Sequence, residues 1–211
     1  VVRSQTPAVK TKTQAVDAGT LIHHLRGNDS FKVRLISAVK LGRSGRAEAV
    51  APLVVSMRND NHYTVRAASA TALANLGNLP AVEDILRSAA LDTQAFVRQE
   101  ARRALGKYPR FDVSPYVGAA YTSDSAPLRA LVIEYLLEGP IDLGKEVLVR
   151  AMGDEESVFD TLAKHLSTVS EETFYDLLVV ATEHRDPSVR RGAILLMGTK
   201  NTKRSADLLM E

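Results

Sequence analysis

The sequence predicts an all-α protein, a right-handed α-solenoid of about six stacked helical hairpins. Two observations carry this reading. A short motif returns every 30 to 32 residues, anchored at Val33, Val65, Val97, Leu128, Val158 and Val189. Within each copy, apolar or small residues recur four and eight positions after the anchor, the spacing of one helical face. They are Ser37, Ser69, Ala101, Val132, Leu162 and Ala193, then Leu41, Leu73, Leu105, Leu136, Leu166 and Met197. One hairpin cannot bury such a face alone, but stacked hairpins can. A third observation is what the 211 residues lack: there is no cysteine, no tryptophan, and only 5% aromatic content. Disulfides, zinc–thiolate sites, iron–sulfur clusters and a thiol nucleophile are excluded.

The elements follow in chain order. Residues 1–16 are polar, basic and patternless, and are expected to form a flexible leader or linker. Two origins stay open, the remnant of a removed secretory signal or the end of an upstream domain. With no cysteine to protect, a periplasmic or secreted location is favoured over a cytoplasmic one. The solenoid is expected over 17–211. Each unit reads as helix A, a turn and helix B, the anchor lying in helix B. Helix A is marked by apolar pairs eleven and twelve residues before the anchor: Leu21-Ile22, Leu53-Val54, Ile85-Leu86, Tyr116-Val117 and Leu177-Leu178. The fifth unit slips to Val147-Leu148. Asp29, Asp60, Asp92, Asp124, Asp154 and Asp186 precede the anchors and are expected to cap helix B. Gly42, Gly77, Gly106, Gly139 and Gly198 are expected to close it. Pro80 suits a first turn, while Pro52 and Pro115 mark a start or a kink in helix A. Leu208-Leu209 stands where a seventh helix A would begin, so the array ends in a capping helix or is truncated there.

The pattern D-x-x-x-V-R-x-x-A-x-x-A-L-x-x-L-G resembles HEAT repeats, in the short bacterial form also found in phycobilin lyase subunits. The resemblance covers residues 17–211. It is strongest in units one, two, three and six and weakest in unit five, where Phe159 stands in place of an arginine. It implies a scaffold for other proteins. As an alternative it implies a tetrapyrrole lyase-like subunit.

An arginine follows the anchor in five units: Arg34, Arg66, Arg98, Arg129 and Arg190. A structural ladder to the turn aspartates is the favoured reading, against a basic column for an anionic partner. His23, His24, His62, His165 and His184 show no metal-ligand spacing, and no His is followed by Glu as in the dyads of the HEAT-like di-iron hydroxylase. There is no phosphate loop, since Gly42-Arg43-Ser44-Gly45 lacks the Walker continuation. No catalytic residue, metal or cofactor is therefore expected.

Net charge is +2, but it is segregated. Residues 1–110 hold 17 basic and 8 acidic side chains, and residues 111–184 hold 4 and 14. Such a dipolar surface orients a partner or promotes head-to-tail self-contact. Positions two, five, six and nine after each anchor are expected to line the concave face. Half of them are Ala, Val, Leu or Ile, among them Leu35, Val39, Ile133, Leu137, Ile194 and Leu195. A nucleic-acid groove would be denser in Lys and Arg. The function expected is a non-enzymatic module binding a protein or peptide on this face, through Arg102, Arg103, Ile133 and Leu137. Tyr108, Phe111, Tyr116, Tyr121 and Tyr135 lie nearby in sequence, Tyr116 and Tyr135 at core positions. The alternative is a nucleic-acid binder using Arg98, Arg102, Arg103, Lys107 and Arg110.

Overall fold

A computed structural model describes residues 17–139 and 144–199. The expected leader and Leu208-Leu209 lie outside the described residues. Twelve helices alternate as A and B: α1 (Ala18–Gly27), α2 (Phe31–Gly42), α3 (Val50–Asn59), α4 (Tyr63–Asn75), α5 (Val82–Leu91), α6 (Ala95–Leu105), α7 (Arg110–Tyr121), α8 (Ala126–Leu137), α9 (Lys145–Ala151), α10 (Glu156–Leu166), α11 (Glu171–Thr182) and α12 (Pro187–Thr199). They form six hairpin units, with no strand among the described residues. Every anchor falls in an even-numbered helix.

The predicted stripe is the core. Five anchors and all twelve residues at positions four and eight are buried, and only Val33 is half-exposed. The serines at position four are satisfied where they sit. Ser37 donates to the Val33 carbonyl at 2.8 Å, and Ser69 bonds Ser56 at 3.1 Å. In α9 the buried pair is Leu148-Val149, one residue beyond the expected slip.

In units one to three the B helices approach one another more closely than the A helices do, so the stack curves with the B helices inside. Gly42 permits this: a Cβ there would stand 2.6 Å from Cα of Ala72. It acts by close approach and not as a cap, a correction to its expected role. Of the glycines expected to close helix B, only Gly77 has the left-handed backbone, with φ of 64°. The ridge α2–α4–α6 is continuous and α8 stacks on α10, but α6 and α8 do not stack. α8 leans instead on α5. At the far end α12 rests on α11 and the end of α9, with Gly192 against the Met152 carbonyl.

Candidate functional site

The turn before most B helices is built in one way. Asp60 accepts from the N–H of His62, and Asp92 from that of Gln94, both at 2.9 Å. Asn28 and Ser123 make the same bond to Ser30 and Ser125. These side chains stand two residues before the helix and shape the turn. These four do not cap the first helical N–H groups, as the sequence suggested for the aspartates, but Asp186 does, accepting from the Ser188 N–H of α12 at 2.8 Å.

The arginine column closes the same turns. Arg34, Arg66, Arg98, Arg129 and Arg190 each donate to the carbonyl six residues back, at 2.7 to 2.9 Å. Three of them also reach the next unit. Arg34 grips Asp60 in a two-point bond at 2.7 and 2.9 Å, Arg66 grips Asp92 at 2.8 and 2.9 Å, and Arg129 grips Asp154 at 2.8 and 2.9 Å. These pairs are largely buried. Hydrogen bonds to the carboxylates, then their charges, outweigh desolvation and raise the three guanidinium pKa values. Burial pushes the Asp92 carboxyl up, but bonds from Arg66 and the Gln94 N–H hold it below its ordinary value. Asp154 behaves alike: burial opposes, and bonds from Arg129, from Tyr121 at 2.5 Å and from the Glu155 N–H prevail.

Arg98 and Arg190 bond only backbone carbonyls among the described residues. Asp124 is exposed and does not meet Arg98. Ser123 holds the place five before the anchor that Asp60 and Asp92 hold, and Asp124 stands four before, as Asp154 does. Asp154 meets Arg129 where α8 and α10 stack, whereas Asp124 follows the unstacked step. Asp186 has no rung because Phe159 stands where its arginine would be.

The expected binding patch changes in content. Arg102 and Arg103 are exposed, Arg102 bridging to Glu134 at 2.7 Å and Arg103 pairing with Glu100. Ile133, however, is fully buried, and Leu137 is half-buried against the core. Position five points along the stack toward the next B helix, which covers Ile133 with α10, as it covers Ala38 and Ala70 in earlier units. No exposed apolar strip therefore lies at the expected place. Between α6 and α8 there is instead a cleft of about 340 Å³ walled by Arg102, Arg103, Glu134 and Glu138. Tyr108, Tyr121 and Tyr135 are buried and Tyr116 is half-buried, while the Arg110 and Phe111 side chains lie outside the described residues.

An apolar groove does exist, over α2, α4 and α6. Its floor is Leu35, Val39, Ala67, Ala68 and Thr71, its end wall is Phe96, and it encloses about 450 Å³. Val39 and Phe96 are 37% and 47% exposed. Along its other edge Arg43 lines it, with Lys40 and Lys107 exposed nearby on the same helix ends. Lys40 and Arg43 make no ion pair among the described residues. The N-terminal edge is aromatic: Phe31 stacks on His62 at 3.7 Å, His62 on Tyr63, and Tyr63 meets Phe96 edge-on at 5.8 Å. The sequence signal for this row was available, since Phe31, Tyr63 and Phe96 sit one or two residues before the first three anchors. No cluster of metal-ligating side chains occurs among the described residues.

Residues 19–106 and, overlapping them, 56–138 match the family of HEAT repeats. This chain belongs to the HEAT-repeat family. The comparison with curated proteins gives no match. Among solved structures, the complex of CpcE and CpcF of phycocyanin lyase from Nostoc sp. PCC7120 is 20% identical, with a TM-score of 0.46 over 98% of this chain and 85% of that one. Human deoxyhypusine hydroxylase in complex with glycerol is 14% identical, with a TM-score of 0.39 over 86% and 83%. A designed armadillo repeat protein is 13% identical, with a TM-score of 0.38 over 88% and 100%. The HEAT match ends at residue 138, and the groove lies wholly inside it. No described helix is long and apolar enough to cross a membrane.

Proposed function

We propose that this HEAT-repeat protein is a non-enzymatic interaction module whose concave groove over units one to three binds a protein or peptide segment. The observation that carries this is the combination of an open apolar floor at Leu35, Val39 and Phe96 with unpaired cations at one edge. Such a groove suits an extended segment with an apolar anchor flanked by carboxylates. The nucleic-acid reading has less support, because three of the five column arginines are spent on carboxylates. The tetrapyrrole reading rests on resemblance alone.

A selection from a displayed random peptide library on the purified protein tests the reading. Acidic–apolar sequences should be enriched, and Val39→Glu should weaken their binding at least about tenfold. Enriched peptides that bind Val39→Glu unchanged, or are displaced by sheared DNA at physiological salt, would overturn it.

A further inference from the structure

The segregated charge has a partner for the groove within the chain itself. Helix α11 is two-faced. Phe174, Tyr175, Leu177, Leu178 and Ala181 are buried. Glu172, Asp176, Val179, Val180 and Glu183 are exposed, and their spacing of four, three, one and three residues sets them on one outer stripe. Val179 and Val180 are 42% and 44% exposed, an apolar pair open to water on a helix that is already packed on its other side. Glu172, Asp176 and Glu183 form no ion pair among the described residues. The stripe thus carries three free carboxylates around two valines. The groove is lined by free Arg43 around Val39, Leu35 and Phe96, with exposed Lys40 beside it, and the charge of its one acidic lining residue, Glu100, is met by Arg103.

α11 is the A helix of unit six, on the opposite side of the stack from the groove and three units beyond it. One molecule cannot bring its own stripe into its own groove without unstacking. A second copy can. We infer that this chain self-associates head to tail, the α11 stripe of one copy seated in the α2–α4–α6 groove of the next. The two patches differ, so the contact is heterologous and leaves a free groove at one end and a free stripe at the other. The charge complementarity also makes association fall with salt, since the edge cations and stripe carboxylates face solvent. This inference rests on the groove's being the binding surface.

Sedimentation of the purified chain from about 10 to about 300 µM, the range of a small polar-rimmed contact, should show mass rising with concentration and falling back in high salt. Val39→Glu with Arg43→Glu should abolish the rise, and so should Asp176→Lys with Val180→Arg, all at exposed positions. Each variant keeps one intact patch. Mixed, they should form a one-to-one pair and nothing larger. A wild-type chain that stays monomeric, association unchanged in either variant, or no pair on mixing overturns the inference. A monomeric wild type that still selects acidic peptides through Val39 removes the self-contact and leaves the proposed function standing.

Discussion

Units one to three and units four to six descend from the same motif and are tied together differently. In the first half, two things repeat at each step: B helices lie side by side, and a buried arginine–aspartate pair joins adjacent turns. At the step from unit three to unit four both are missing. α6 and α8 do not stack, Arg98 meets no carboxylate, and the exposed pair Arg102–Glu134 spans the gap. The second half regains one rung at Asp154 and loses the next to Phe159. The difference teaches that a rung forms where adjacent B helices stack, and that having an aspartate in the turn is not enough. Asp124 and Asp154 both stand four residues before their anchors, yet only Asp154 meets an arginine, and it does so where α8 and α10 stack.

The largest test of this contrast pairs Asp92→Ala with Asp124→Ala. The first strands a guanidinium that is mostly shielded from water and should cost about 3 kcal/mol. The second removes an exposed, unpaired carboxylate and should leave the denaturant midpoint where it was. Equal losses would dissolve the distinction between the halves.

A gain should follow from repairing the junction. Ser123 already makes the turn bond that Asp60 and Asp92 make. Ser123→Asp should place a carboxylate before Arg98 and stabilise the chain by about 1 kcal/mol. In an Arg98→Ala background the gain should vanish, and a double-mutant cycle would read this directly.

Acid provides a third measurement. Asp92 and Asp154 have carboxyl pKa values held below the ordinary one of about 3.9. Their contribution is complete above that ordinary value and is lost as pH falls through the lower folded values. Stability should therefore decline below about pH 4, and Asp92→Asn should flatten the decline. A slope unchanged by Asp92→Asn would assign the acid limb to other groups.

The smallest effect is expected at Arg102→Ala. The pair with Glu134 has a half-exposed guanidinium, so its loss should cost less than about 0.5 kcal/mol. Hydrogen exchange should nevertheless show α6 and α8 opening before α4, because α4 has a stacked B helix on both sides and α6 and α8 each have one on one side only.

The fold was legible because it is periodic. The spacing of four and eight from Val65 or Val158 fixes a helical face, and six repetitions leave no competing register. The partners of Arg34 and Arg66 were legible in kind, since aspartates recurred in every turn. What was not legible is which aspartate arrives, because that follows whether the neighbouring B helices stack, as α8 and α10 do and α6 and α8 do not. The apolar groove was read partly. Val39 and Leu35 were placed on the concave side, and the groove contains them. Ile133 was misplaced because position five faces along the stack, and helix periodicity alone does not say where a neighbouring unit will lie. Phe96 and Tyr63 were overlooked because they precede the stripe that the spacing selects.

The unstacked step between α6 and α8 has a mechanical consequence. A row of hairpins under load behaves as springs in series, and the most compliant joint takes most of the extension. When the ends of this array are drawn apart or twisted, the strain concentrates at the steps where B helices do not stack, between units three and four and between units five and six. The three units that shape the groove then move as one stiff block, keeping their curvature while the overall length of the molecule changes.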